Sequence, residues 1–361
     1  MTLTQRLTSH IDAAIASGRE EGIQLAVYHR GQLIVDITRG TRDDAGTPMR
    51  PNDMTMLWSA SKGVTATCLH ILAERGLIAY DDAIADYWPA FAAHGKAAIT
   101  IRHLMSHTAG IPFLPDDVTN DILADYDAIC AIVADLRPIS RAGQVAAYHG
   151  LTYGWPLANV LEAVDGRPFG QFVQDEICAP LGITDLYCGL PTHRRPDVAR
   201  FSHDLGADAD AHANPCVQGN HPGIHATCMP ANNFMASAHA LARVYASLIG
   251  DGVDGVRLLP ARRIAQATKV QRWAMDAVIQ AVRGFGLGYF LGESLPINET
   301  RDTTFGHNGL GGNVGFADPV LGIAFALTKT RLTMTNHTPT LAAELADIVR
   351  DALGARHTAS A

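Results

Sequence analysis

Trp58-Ser59-Ala60-Ser61-Lys62-Gly63-Val64-Thr65-Ala66-Thr67-Cys68-Leu69 is the stretch on which the rest of the chain depends. A Ser and a Lys stand three residues apart, and positions i and i+3 are neighbours on one face of an α-helix. Ser59 Oγ and Lys62 Nζ can therefore meet at the first turn of a helix. A serine hydroxyl is a weak nucleophile without a nearby base. A lysine serves as that base only when burial lowers its pKa. From Val64 to Leu72 only Thr and His interrupt the apolar run, as in a helix buried all round. Lys62 is one of only 4 Lys in the sequence, and the pair forms its only Ser-x-x-Lys. Taken alone, the spacing is equally compatible with a chance placement.

The 361 residues suffice for one large domain or two ordinary ones. A content of 47% hydrophobic and 18% charged residues describes a packed globule rather than a disordered chain. A net charge of −8 argues against nucleic acid or an anionic membrane as partner. The six Cys include no Cys-x-x-Cys pair and read as buried small residues, which fits a reducing cytoplasm. No apolar stretch is long enough to span a bilayer, and the N-terminus has no basic start followed by an apolar core. A cytoplasmic protein, monomeric or homo-oligomeric, is expected.

Moving outward, residues 4–18 read as an amphipathic helix with Leu7, Ile11, Ala14 and Ile15 on one face. Ile23–Tyr28 and Gln32–Thr38 flank His29-Arg30-Gly31 as a hairpin. Helices are expected over 121–136, Leu151–Val164, Phe169–Leu181, 234–249 and 260–282, with an irregular segment over 191–232. Strands return at Gly286–Leu291, Thr304–His307, Gly312–Ala317 and Gly322–Thr328. A last helix follows at about 339–353, before a short frayed tail at Arg356–Ala361. Strands at both ends with helices between predict an α+β fold, its sheet built from both chain ends. The division expected is 1–80 plus 283–361 for the α/β domain and 81–282 for an inserted helical domain.

Two further stretches carry side chains able to work with Ser59. In Gly143-Gln144-Val145-Ala146-Ala147-Tyr148-His149-Gly150, a Tyr precedes a Gly-containing turn and a helix start. Its phenol, if its pKa were depressed beside a Lys, could pass protons to and from a serine. The same Tyr could equally be a half-buried packing residue. In Phe305-Gly306-His307-Asn308-Gly309-Leu310-Gly311-Gly312-Asn313, the glycines allow close backbone approach, and an edge strand there could aim an N–H at an oxyanion. A Gly-rich hairpin with an exposed His fits equally well. The 16 His form no His-Glu-x-x-His or similar metal spacing, so neither a metal nor a cofactor is expected. His107 reads as a hydrogen-bonder of its own turn.

With these three stretches in order, the sequence resembles the penicillin-recognising serine hydrolases: class C β-lactamases, DD-peptidases and the β-lactamase-like family VIII carboxylesterases. Ser59-Ala60-Ser61-Lys62 matches their Ser-x-x-Lys. Tyr148-His149-Gly150 stands at their Tyr-x-Asn element, and His307-Asn308-Gly309 at their Lys-Thr-Gly or His/Trp-x-Gly element. Ile99–Gly110 and Tyr148–Trp155 also look like signature runs of this group. The resemblance covers roughly residues 10–350.

It implies an antiparallel sheet flanked by helices, with a mainly helical insert. It makes Ser59 the acylated nucleophile, Lys62 its base and Tyr148 a general acid and base. The backbone N–H groups of Ser59 and Leu310 would form the oxyanion hole. His307, Asn308 and Gly309 would border the substrate, and Trp155 and Phe113 are candidates to line an acyl pocket, though core packing would serve them as well. Two departures stand out. Gly150 replaces the Asn that grips a substrate amide, and His307 replaces the Lys that faces a substrate carboxylate. Both point to the esterase branch and a small ester substrate. A β-lactamase, amide hydrolase or acyltransferase of the same fold remains the alternative, as does a catalytically silent ligand-binding or assembly module.

Overall fold

Along the strand Gly22–His29 (β1), Ile23, Leu25 and Val27 alternate with Gln24, Ala26 and Tyr28, and both sets are buried. A strand buried on both faces needs a layer of helices on each. In the computed structural model, which describes residues 1–203, 214–297, 303–334 and 339–354, both layers are present. Leu3–Ala16 (α1) and Leu341–Ala352 (α5) cover the face of Ile23, Leu25 and Val27. Their Leu7, Ile11, Leu345 and Val349 form one core with those residues. Each such fully buried aliphatic side chain contributes about 1.5–3 kcal/mol. Ser61–Glu74 (α2) and Ala238–Ala246 (α4) cover the other face with Ala26, Tyr28, Ala324 and Ala326. Small residues there let the helices lie close. A Cβ on Gly315 would sit 2.6 Å from the Tyr245 ring.

The remaining strands are Gln32–Gly40 (β2), Arg272–Met275 (β3), Val282–Phe285 (β4), Phe290–Leu291 (β5), Phe305–Asn308 (β6), Val314–Asp318 (β7) and Ile323–Lys329 (β8). They form an eight-stranded sheet in the order β2-β1-β8-β7-β6-β5-β4-β3. The pairings are antiparallel, so the expected α+β architecture with a sheet from both chain ends is what forms. Between Glu74 and Arg272 the chain is mainly helical, including Gly154–Asp165 (α3), which ends on Gly166 in the left-handed region.

Several local expectations are corrected. The helix read over 260–282 stops at Ala267 and gives way to the β3–β4 hairpin. The helix read over 234–249 begins only at Ala238, because Met235–Ala236 is a short strand and Ser237 caps the helix. The helix read over 121–136 is broken at Asp125, whose carboxylate takes the Ala128 N–H and starts a new helix. Strand β6 is not an edge strand, since β7 and β5 pair on either side of it. Its pairing to β5 ends at Gly306, so the His307–Gly309 side of the strand is left open. Residues 204–213 of the irregular segment and the tail at Arg356–Ala361 lie outside the described residues. No described helix is long and apolar enough to cross a membrane.

Candidate active site

Ser59 lies in a 3₁₀ turn, Trp58–Ala60, that runs directly into α2. Trp58 takes φ 53°, a left-handed conformation that costs a non-glycine residue about 1–3 kcal/mol. The turn is held from outside: the short strand Thr55–Met56 pairs with Met235–Ala236, and Leu57 N–H donates to Phe234 O at 2.7 Å. The same pairing brings Ala231 beside the first turn of α2. Every residue of α2 from Ser61 to Ala73 is buried, as its composition led one to expect.

Lys62 is 0% exposed and has three hydrogen-bond partners. They are Gly150 O at 2.7 Å, Ala231 O at 3.0 Å and Ser59 Oγ at 3.2 Å. None is a carboxylate. Burial alone drives the amine well below its ordinary pKa. A neutral amine has two N–H donors and one lone pair. The two carbonyls can only accept, so both N–H groups go to them. In that neutral form the third position, toward Ser59 Oγ, would be the lone pair, able to accept the serine proton.

Tyr148 completes the convergence across 86 residues of sequence. Its ring centroid is 4.9 Å from Lys62 Nζ and 6.0 Å from the His307 ring. The depressed phenol expected for it is not found. Burial pushes Tyr148 up, which the neighbouring Ser59 hydroxyl opposes only in part. Tyr148 is therefore a neutral phenol at rest.

His107 holds the Tyr148 turn. Its carbonyl accepts the Ala147 N–H at 2.9 Å, and its Nδ1 accepts the His149 N–H at 3.0 Å. Its ring lies 4.7 Å from that of Tyr148, and its own φ is 56°. Both amides flanking Tyr148 thus dock on one residue. His149 Nε2 in turn accepts the Ile111 N–H at 3.1 Å.

His307 is 1% exposed and stacks on Phe290 at 4.2 Å. Its Nδ1 lies 2.7 Å from Asn308 O, so the proton sits on Nδ1 and Nε2 is an acceptor without a partner. Burial lowers its pKa to about 3. His307 therefore brings no positive charge at neutral pH. Gly309 presses on the Ser59 turn: a Cβ there would meet Leu57 O at 2.2 Å. Leu310 follows and is 42% exposed; with Asn308 and Gly309 it lines a cleft of about 320 Å³ toward Arg19, Glu20 and Leu341, which Ser59, Lys62 and Tyr148 do not line. At Gly150 the opposite holds, since nothing lies within 4 Å of a Cβ built there. The site has open space where the resembled enzymes carry an Asn side chain.

Of the proposed acyl-pocket residues, Phe113 is 56% exposed, on the loop beyond Ile111. Trp155 is 1% exposed inside the helical core, so its indole packs there and does not face an open cleft. Residue types gave no signal for the carbonyls of Gly150 and Ala231, because any residue supplies a carbonyl. Among the described residues no cluster of three His, Cys, Asp or Glu could hold a metal ion.

A doubly covered antiparallel sheet with a Ser-x-x-Lys helix at its centre defines a β-lactamase/transpeptidase-like fold. The chain belongs to the Beta-lactamase family, which matches it over residues 7–354. It is 36% identical over 347 residues to the esterase/β-lactamase LipL of Mycobacterium tuberculosis H37Rv, covering 88% of this chain and 79% of that protein. A solved family VIII carboxylesterase superposes with a TM-score of 0.89 at 27% identity over 98% of each chain. A penicillin-binding protein homologue from Caulobacter crescentus does so at 0.87 and 30% identity, again over 98% of each chain. The class is that of esterase/β-lactamase-like serine hydrolases.

Proposed function

We propose that this chain is a serine carboxylesterase that cleaves small uncharged esters through an acyl-enzyme on Ser59. The observation that carries this reading is the setting of Lys62, fully buried, with two carbonyls and the Ser59 hydroxyl as its hydrogen-bond partners and no carboxylate. Lys62 takes the Ser59 proton as Oγ attacks the ester carbonyl. The Ser59 and Leu310 N–H groups receive the oxyanion. As the tetrahedral intermediate collapses, Tyr148 O–H protonates the departing alkoxide. The enzyme then holds an acyl-serine, a Lys62 ammonium and a Tyr148 phenolate. The phenolate takes a proton from water, whose oxygen attacks the acyl carbon. Lys62 returns its proton to Ser59 Oγ on release of the acid. Protons balance over the cycle, and both bases end in their resting forms.

The preference for uncharged esters follows from charge. Lys62 and His307 are both neutral at rest, so neither offers a fixed cation to a substrate carboxylate. The open space at Gly150 leaves no side-chain amide to grip an acylamino group. The names of the relatives, an esterase/β-lactamase and a family VIII carboxylesterase, support the same reading. The β-lactamase part of that relative's name keeps amide hydrolysis or acyl transfer as the second reading. Turnover of a chromogenic short-chain ester by wild type and Ser59→Ala, beside a cephalosporin and a D-amino-acid amide, tests it. Ester cleavage that disappears in Ser59→Ala is expected. Undiminished turnover by that variant contradicts the proposal, and no labelling by a fluorophosphonate points to a catalytically silent protein.

A further inference from the structure

We infer that Asn313 is a positioning residue that sets the distance between the two oxyanion donors. This rests on the reading of the Ser59 and Leu310 N–H groups as that pair. Asn313 is 0% exposed and joins three segments. Its side-chain amide donates to Met56 O at 2.9 Å, three residues before Ser59. Its Oδ1 accepts the Lys329 N–H at 2.9 Å, from the end of β8. Its own backbone carbonyl accepts the Gly309 N–H at 2.7 Å, one residue before Leu310.

One residue thus bonds the chain leading into the nucleophile, the chain leading into the second donor and the sheet beneath both. Gly309 adds the contact that makes this spacing critical. It lies against Leu57 with no room for a Cβ, so the two segments touch with no slack between them. Asn suits this position because one planar amide supplies a donor and an acceptor on opposite sides. No hydrophobic residue of the same size can bond Met56 O and Lys329 N–H together, and a buried backbone group left unpaired pulls its segment out of place. Asn313 touches no reacting atom. It acts through where Leu310 N–H and Ser59 N–H stand.

An oxyanion donor works only when placed within about 2.7–3.1 Å of the developing charge, and a shift near 1 Å costs on the order of 100-fold. The test compares Asn313→Ala with wild type for kcat, KM, melting temperature and the inhibition constant of an alkyl trifluoromethyl ketone. That ketone forms a serine adduct whose oxyanion needs both donors. The expected result is a kcat roughly 10- to 100-fold lower, a KM within about threefold, and ketone binding weakened in step with kcat/KM. A residue that only packs would lower the melting temperature and leave both kcat and the ketone's inhibition constant unchanged. A folded Asn313→Ala with unchanged kcat and ketone binding, or with KM alone raised, overturns the inference. If the alanine variant does not fold, Asn313→Ser reads the same quantities, because it adds no buried charge and is too short to bond Met56 O and Lys329 N–H together. Ser59→Ala run alongside separates the two levels. Its retained activity would overturn the site reading itself, whereas its inactivity beside a fully active Asn313→Ala overturns only the role of Asn313.

Discussion

Lys62 Nζ stands 3.2 Å from Ser59 Oγ in a site that leaves the amine no exposed surface and no carboxylate partner. Only the neutral amine can accept the serine proton, and burial favours that form by lowering Lys62 well below the ordinary lysine value of 10.5. Activity should therefore be present at neutral pH and be lost as pH falls through the lowered Lys62 pKa. A kcat/KM profile for an uncharged ester should show that acid limb and no requirement for pH near 10. Lys62→Arg places a permanently charged group at the same position. It should lose at least about 10³-fold in kcat, with a pH profile that alkali does not restore.

Tyr148→Phe removes the leaving-group acid while keeping the ring that packs on His107. Alkyl esters, whose alkoxides need a proton, should lose roughly 10²- to 10⁴-fold in kcat. A p-nitrophenyl ester should acylate nearly normally, because its leaving group departs unprotonated. The missing base should then slow deacylation, so that variant accumulates an acyl-enzyme with a burst of nitrophenolate. Equal losses on both esters, without a burst, would remove Tyr148 from the proton path.

Gly150→Asn should fold without penalty beyond a few tenths of a kcal/mol, because its Cβ meets nothing within 4 Å and its backbone is not left-handed. If the open space beside Lys62 is what biases the site toward esters, the added side chain should raise the ratio of amide to ester turnover. Parallel kcat/KM values on a D-amino-acid amide and a short-chain ester read that ratio. An unchanged ratio would place ester preference elsewhere.

What could be read from the sequence follows the range of the interactions. Ser59 and Lys62 are one helical turn apart, and the apolar run after them announces burial. Local spacing was enough for both. Tyr148 comes from a distant segment, so its place beside them rested on the resemblance, and local sequence misjudged its phenol because desolvation depends on everything packed around it. Arg272–Met275 and Val282 fall within the stretch read as helix over 260–282, yet Trp273, Met275 and Val282 are about half exposed on strands at the sheet's edge. Pairing with a neighbour decided their structure. Asn313 and His107 act through backbone groups that no residue type advertises.

His70, His149 and His307 are all buried, and desolvation lowers each to about 3. In the unfolded chain each titrates near 6.5. Between those values the unfolded state binds an extra proton at each of these rings, and the buried His107, also lowered well below its ordinary value by desolvation, adds to them, so stability falls as pH drops below 6.5. Urea midpoints measured from pH 7.5 to 4.5 should decrease steeply below 6, and His70→Gln should flatten the curve. A midpoint independent of pH in that window would contradict the neutral, buried state of these rings.

The proposed mechanism requires that Ser59 be acylated in an intermediate that Tyr148→Phe cannot discharge. Intact-protein mass of Tyr148→Phe, quenched within seconds of mixing with a p-nitrophenyl ester, should show one added acyl group, and peptide mapping should place it on Ser59. Absence of the adduct while nitrophenol is still released, or an adduct on any other residue, would contradict it.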